Sequence, residues 1–356
     1  MIWQIDLLVL TLVLICGFFS LRIKDLLSAA ILYSAYSFMM CLLWAVMGAV
    51  DVAFTEAAVG AGASTVFFLA AIYRTTRRTK RLRKLALLSI CISGLLLIYA
   101  TGDFPSFGDP HSPAAEYLSP HYIEQTLEET SVPNIVSAVL ADYRGYDTMF
   151  ETVVVFSAAL ACFFLLRFRK ASPRDRFYRH NLTGVVLHLT GDKKIPEGSV
   201  HFERIDSKWT PQTPIVRIVS RLLTPFLQLF GLYVIFHGHH SPGGGFQGGV
   251  ILGASFLLLA LSHDLRFVIS RVGEKFLSIF NALGVMLYSG VGLICLGLGA
   301  NFLDYSSLSA IMPVNEVAAR SWGILFVEIG VGITVMASMI LIYNNVASEG
   351  RWDEGL

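Results

Sequence analysis

Apolar residues run almost unbroken through nine stretches of the chain: 2–20, 26–48, 52–73, 85–101, 149–166, 215–236, 246–263, 275–298 and 322–343. A helix rising about 1.5 Å per residue needs about 20 such residues to cross a hydrocarbon core about 30 Å thick. The pattern therefore predicts an all-α integral membrane protein of about nine transmembrane helices. The third run is interrupted by Glu56, and the sixth opens on Arg217 and Arg221. The first run has no basic residue before it and no small-residue cleavage site after it, and is read as a retained helix.

Composition strengthens the membrane reading. The chain is 54% hydrophobic and 15% charged, against roughly 25% charged residues in soluble domains. Its charges are sorted. With nine spans and the N-terminus outside, every Lys and Arg except Arg144 and Arg320 falls in or beside a cytoplasmic segment, as the positive-inside rule demands. The loop 102–147 carries eight carboxylates against one arginine, which suits an external loop. The expected topology is N-terminus outside and C-terminus inside, multi-pass, in a bacterial or archaeal inner membrane. No basic stripe points to nucleic acid.

The two long loops divide the chain. Residues 1–101 form a first membrane module, and 102–167 supply an outer loop and the fifth helix. A basic cytoplasmic linker spans 168–214, a second membrane module 215–345, and a cytoplasmic tail 346–356. In the outer loop, Ile135, Val136, Val139, Leu140 and Tyr143 recur at helical spacing. They predict an interfacial helix over the outer mouth, or a helix packed on a partner. In the linker, GVVLHLTG and GSVHFERI alternate and are separated by DKKIPE, the pattern of a small hairpin.

Three glutamates lie in or at the edge of spans: Glu56, Glu151 and Glu328. A carboxylate costs at least ~2.5 kcal/mol at membrane depth, so each is an ion-path candidate facing a bundle interior or water. Glu56 stands among Ala57, Ala58, Gly60, Ala61, Gly62 and Ala63, which permit close helix approach. Glu328 is deeper in its run, with Gly330 and Gly332 beside it. Glu151 sits so near a helix start that a solvated or dipole-complementing role competes with transport.

The segment HGHHSPGGGFQGG joins the sixth and seventh runs. Pro242, Gly243, Gly244 and Gly245 predict a tight turn, while Gly248 and the i+4 series Gly245, Gly249 and Gly253 give the next helix a smooth packing face. His237, His239 and His240 are read as surface or structural residues, since no carboxylate or cysteine completes a site nearby in sequence; metal binding or proton relay is the alternative. His263 and Asp264 are expected to be solvated at the inner boundary. Arg217 and Arg221, one turn apart, are expected to snorkel to the inner surface or to pair with an acidic group on a neighbouring subunit. The five cysteines are dispersed through apolar runs with no C-x-x-C, so neither a metal site nor an iron–sulfur or other cofactor is expected.

These residues resemble a known family. Asp25 through Leu69, with DLLSAAILYSAYSF and DVAFTEAAVGAGASTVFFL, resembles the MbhD-type domain, which also forms the late part of the large MrpA protein of Mrp Na+/H+ antiporters. PSFGDPHSP and HYIEQTLEETSVPNIVSAVLADYRGYDTMFETVVVF resemble the MbhE-type segment that follows it. Residues 215–343, with YVIFHGHHSPGGGFQGGVILGASFLLLAL, resemble the MrpB protein of the same antiporters, also called MnhB. The resemblance implies a non-redox membrane subunit of a multisubunit Na+/H+ antiporter complex, with Na+, H+, the bilayer and large antiporter-like subunits as partners. It implies no enzymatic site. Two alternatives stay open: a membrane-arm subunit of a redox-coupled complex such as an energy-converting hydrogenase, and a purely structural scaffold.

Overall fold

The computed structural model describes residues 3–74, 84–106, 108–167, 176–189, 195–196, 199–205, 214–263, 265–348 and 350. Most of the basic loop after the third expected span, parts of the linker, Asp264 and the last six residues lie outside the described set.

Helix α1 (Trp3–Arg22) and helix α2 (Leu26–Val46) form an antiparallel pair. Asp25 starts α2 by accepting from the Ser28 amide at 3.1 Å and the Ser28 hydroxyl at 2.7 Å, a polar N-cap at the break between two apolar runs. The third span begins as α3 (Val50–Glu56), widens into a π-helical segment over Ala57–Ala63, and ends as α4 (Ser64–Arg74). Helix α5 (Lys84–Ala100) follows, then the outer-loop helices α6 (Ser119–Thr130) and α7 (Ile135–Ala138) and the span α8 (Gly145–Arg167). The second half contributes α9 (Pro214–His237), α10 (Gly245–Ser262), a short α11 (Leu265–Arg271), α12 (Glu274–Gly297) and the 33-residue α13 (Glu316–Ser348).

Eight helical runs among the described residues are long and apolar enough to cross a membrane. The fourth expected span is α5, whose 17 residues reach about 26 Å at roughly 1.5 Å per residue. It falls slightly short of a full crossing before a 3-10 turn over Thr101–Asp103.

Helix α13 is the hub. It packs against α8, α10 and α12, and Ile324, Val327, Val331, Val335 and Ile340 along it are buried. Small residues set the spacing. A Cβ on Gly249 would press on Gly332 and Val335 of α13, and one on Gly253 on Met339, while Gly248 faces Gly231 and Ile235 of α9. Between α12 and α13, the buried Ser338 hydroxyl donates to Asn281 Oδ1 at 2.7 Å, so this polar pair is satisfied without water.

One sequence expectation is corrected. The linker runs do not pair as a hairpin: β2 (Val186–Leu189) and β3 (Phe202–Ile205) are the edges of a three-stranded antiparallel sheet centred on β1 (Arg176–His180). Strand β1 was not anticipated because RFYRH is basic and lacks alternation. The all-α membrane part thus carries one small sheet. The outer loop contains a helix over the segment expected, with its small residues against the bundle. Val132, Ser137, Ala138 and Ala141 are buried, whereas Val136 and Leu140 are exposed. Small residues let this segment sink against the bundle, and the helix breaks into a π turn over Val139–Tyr143. Two buried tyrosines hold the break, Tyr305 donating to the Ala141 carbonyl at 3.0 Å and Tyr288 to the Gly145 carbonyl at 2.8 Å.

Candidate site at the glycine turn

The turn that follows α9 is where three parts of the chain meet. Asn134 stands just before α7 and caps it, its Oδ1 accepting from the amides of Val136 and Ser137. Its Nδ2 lies 3.0 Å from the carbonyls of Gly238 and Ser241 and 3.4 Å from Asp51 Oδ1. Its own amide donates to the His239 carbonyl at 2.9 Å. Asp51, at the start of α3, accepts from the Gly243 amide at 3.1 Å. One asparagine and one aspartate therefore tie the first module, the outer loop and the turn together.

Glu328 of α13 lies against this turn. A Cβ on Gly245 would collide with its backbone carbonyl, and one on Gly244 would lie 3.0 Å from its Oε1. Gly244 also has φ of +128°, a conformation open to glycine. Backbone contact with Gly245 places Glu328 level with the turn. The residue is 7% exposed, and its Oε2 has no hydrogen-bond partner among the described residues. His239 Nε2, likewise unpartnered there, stands 4.0 Å away. Burial, and then the neighbouring His240, push the His239 pKa below the usual imidazole value, which keeps that ring neutral near pH 7.

A cavity of about 250 Å³ opens beside Glu328, walled by Asp51, Thr55, Glu151, Gly244 and Gln247. A second, more open cavity of about 390 Å³ adjoins it, sharing Asp51, Val52 and Val136 and lined also by His240 and Pro242. The structure thus brings Glu328 and Glu151 together and leaves Glu56 apart. Glu56 lies at the start of the π segment with its carboxylate over Gly60 and near the Ser37 hydroxyl, and lines neither cavity.

Several expectations about polar residues are revised. The histidine turn does meet carboxylates, Glu328 beside His239 and Asp51 beside Gly243, supplied by distant segments rather than by neighbours in sequence. His237 stacks on Tyr233 with ring centroids 4.8 Å apart, and His240 is exposed. His263 is half-buried and stacked on Phe267 rather than freely solvated. Burial, then the adjacent Arg217 and Arg221, lower its pKa. Arg217 is half-buried and Arg221 exposed. Among the described residues no group of three or more His, Cys, Asp or Glu side chains is arranged to hold a metal ion.

Asp51, Thr55, Asn134, Ser137 and Gln247 were not singled out in the sequence. Signals existed: Asn134 follows Pro133 and precedes an apolar stretch as an N-cap would, and Gln247 is a polar residue at the head of an apolar run. A further cluster ties the outer loop to α13. The Arg320 Nε donates to Asp142 at 2.8 Å, and the Tyr143 hydroxyl donates to Glu129 at 2.6 Å with Arg320 over its ring. Burial, then the bond to Glu129, push the Tyr143 pKa up to about 12.

The second module matches the family described as a domain related to the MnhB subunit of Na+/H+ antiporter, over residues 215–341. Residues 11–77 match the MbhD family and residues 79–177 the MbhE family, both described as components of MBH. A putative antiporter subunit mnhB2 of Staphylococcus aureus is 34% identical over 131 residues, which is 35% of this chain and 92% of that protein. The chain belongs to the MnhB-related family of antiporter subunits. A probable K+/H+ antiporter A/B protein of Rhizobium meliloti is 26% identical over 273 residues, 76% of this chain and 26% of that one. The solved Mrp complex from Dietzia sp. DQ12-45-1b contains a chain of the same fold, with TM-score 0.68 and 23% identity. That likeness covers 97% of this chain and 35% of that one, so this MnhB-related protein spans about a third of its length. Family and apolar helices together make it a multi-pass cell-membrane component of the transporter class.

Proposed function

We propose that this MnhB-related chain is a non-redox subunit of a multisubunit monovalent cation/proton antiporter complex, and that the cavity beside Glu328 lies on its ion path. The single observation that carries the reading is a buried carboxylate with an unpartnered oxygen, set on a cavity where all three modules meet. Such a group is costly unless it exchanges a proton or a cation. Glu151 on the same cavity wall and Glu56 at the π segment are further ion-path carboxylates. Charge sorting supports a topology with the N-terminus and the glycine turn outside and the C-terminus inside. The cavity then opens toward the outer face. In this reading, electron transfer and hydrolysis belong to other proteins of the assembly. Its partners are the other subunits, including large antiporter-like ones, that complete the path across the membrane.

The test is reconstitution. Proteoliposomes holding the intact assembly should show cation-dependent proton movement, and those holding this chain by itself should show none. Antiport by the chain alone would overturn the proposal. The matches to the MbhD and MbhE families favour a second reading, the membrane arm of a redox-coupled complex. Iron–sulfur proteins co-purifying with the gently solubilised chain would select it.

A further inference from the structure

We infer that the cavity beside Glu328 binds an alkali metal cation, Na+ or K+, between the side-chain oxygens of Glu328 and Gln247, in exchange for the carboxyl proton. The inference rests on the antiport reading above and assigns the site its ligand. It begins with Thr55. The Thr55 hydroxyl donates its only proton to the Asp51 carbonyl at 2.9 Å, so toward Gln247 it can only accept, and Gln247 Nε2 donates to it at 2.9 Å. The amide is thereby oriented, with its oxygen turned away from Thr55. A Cβ built on Gly244 would lie 3.0 Å from Glu328 Oε1 and 3.5 Å from Gln247 Oε1. Both oxygens therefore lie on the bare side of Gly244, no more than 6.5 Å apart (the sum of 3.0 and 3.5 Å), and both residues line the cavity. Two acceptors lining one buried cavity favour a proton or a cation between them.

The surroundings favour a cation as one of the two occupants. Three carboxylates, Asp51, Glu151 and Glu328, line the cavity, and no lysine or arginine among the described residues does. The cavity volume of about 250 Å³ has room for an ion and several waters. Oxygen ligands of carboxylate and amide type suit hard cations. The other carboxylate oxygen, Glu328 Oε2, faces His239 Nε2 at 4.0 Å. Tyr288 on α12 is within electrostatic reach of Glu328, and Asp51 is held by the Gly243 amide and Asn134. Cation binding at Oε1 releases the Glu328 proton to water through the cavity. Proton return expels the cation, so one charge replaces one charge and no bond other than O–H is made or broken.

The experiment uses the full chain in lipid nanodiscs at constant ionic strength. NaCl or KCl is titrated against choline chloride while a pH dye follows proton release and infrared difference spectra follow the protonated-carboxyl band. Sodium or potassium should release about one proton per chain with loss of that band, and choline should release none. Glu328→Gln should abolish the release. Gln247→Leu should raise the half-saturating cation concentration at least tenfold, and Gln247→Glu, which keeps an oxygen in place, should lower it. No release with either alkali cation, equal release with choline, or half-saturation unchanged in Gln247→Leu would each overturn the site. If Gln247→Leu fails to fold, an unchanged half-saturation in Gln247→Glu does so instead. Because no transport is measured, the outcome is separable from the antiport reading. A chain that binds the cation within an assembly indifferent to Glu328→Gln sinks that reading and leaves this one.

Discussion

Glu56 and Glu328 look alike in sequence, each an acidic residue in an apolar run beside small residues, yet the fold treats them differently. Glu328 is 7% exposed, wedged by backbone contact with Gly245 and set on a cavity built from three modules. Glu56 is half-buried within the first module, its carboxylate resting over Gly60 beside Ser37. The helices around them differ in the same way. The apolar window of α13 is 72% buried inside the chain, while those of α1 and α2 are each 11% buried. An intramembrane carboxylate acquires a defined site only where surrounding helices bury it beside a cavity. Here that condition is met at the turn and not at the π segment.

The two glycines offer the sharpest way to break this contrast. A Cβ at Gly245 meets the Glu328 backbone, which cannot move without displacing α13. Gly245→Ala should therefore prevent accumulation of folded protein in the membrane. A Cβ at Gly60 meets the carboxylate end of Glu56 and the Ser37 hydroxyl, groups that can rotate away. Gly60→Ala should accumulate normally, as read by membrane immunoblot and size-exclusion chromatography. Equal accumulation of both variants would show that the turn is not rigidly seated.

A smaller effect is expected at Asn134. Asn134→Ala removes a helix cap and the bonds to Gly238 and Ser241, a loss of about 1–3 kcal/mol. The thermal midpoint of the solubilised chain should fall, and Asp51 should lose its grip on the turn. An unchanged midpoint would mean that the outer loop and the second membrane module are held together elsewhere, for example by the Arg320–Asp142 pair or by Arg167 and Glu274 at 2.6 Å.

Much of this architecture was legible from periodicity and charge. Runs of about 20 apolar residues marked the spans, because a bilayer imposes that length on any helix. The glycine spacing after the turn marked a packing face. The site was less legible because its parts are distant in sequence. Asp51 and Gly243 are 192 residues apart, and Asn134 lies 104 residues from Gly238. The histidine segment itself holds no carboxylate, whereas Glu328 arrives from the last helix. In the outer-loop helix the larger residues repeat at helical spacing and are legible, whereas Ser137, Ala138 and Ala141, small enough to enter the crowded junction, give no apolar signal.

The smallest expected effect is a pH dependence at the turn. The pKa of His239 in the folded chain is lowered by burial and by His240, below the ordinary value of about 6.5. A neutral buried histidine supports the fold fully above that value, and the support is lost as pH falls through 6.5 and an opened turn takes up the proton first. Protection factors of the 238–244 amides, exchange rates normalised to the intrinsic rate at each pH, should fall as pH drops below about 6.5. In His239→Gln that fall should be absent. A persisting fall would assign it to another group.

The most direct test of the central claim compares the two carboxylates in one assay. Cation-driven proton flux is measured in vesicles carrying the intact assembly with wild-type chain, Glu328→Gln or Glu56→Gln, each normalised to assembled complex. The account predicts that Glu328→Gln lowers flux at least tenfold, about 1.4 kcal/mol of barrier, while Glu328→Asp retains part of it and Glu56→Gln lowers it less. Wild-type flux in a fully assembled Glu328→Gln complex would contradict the account and leave the turn as a structural joint.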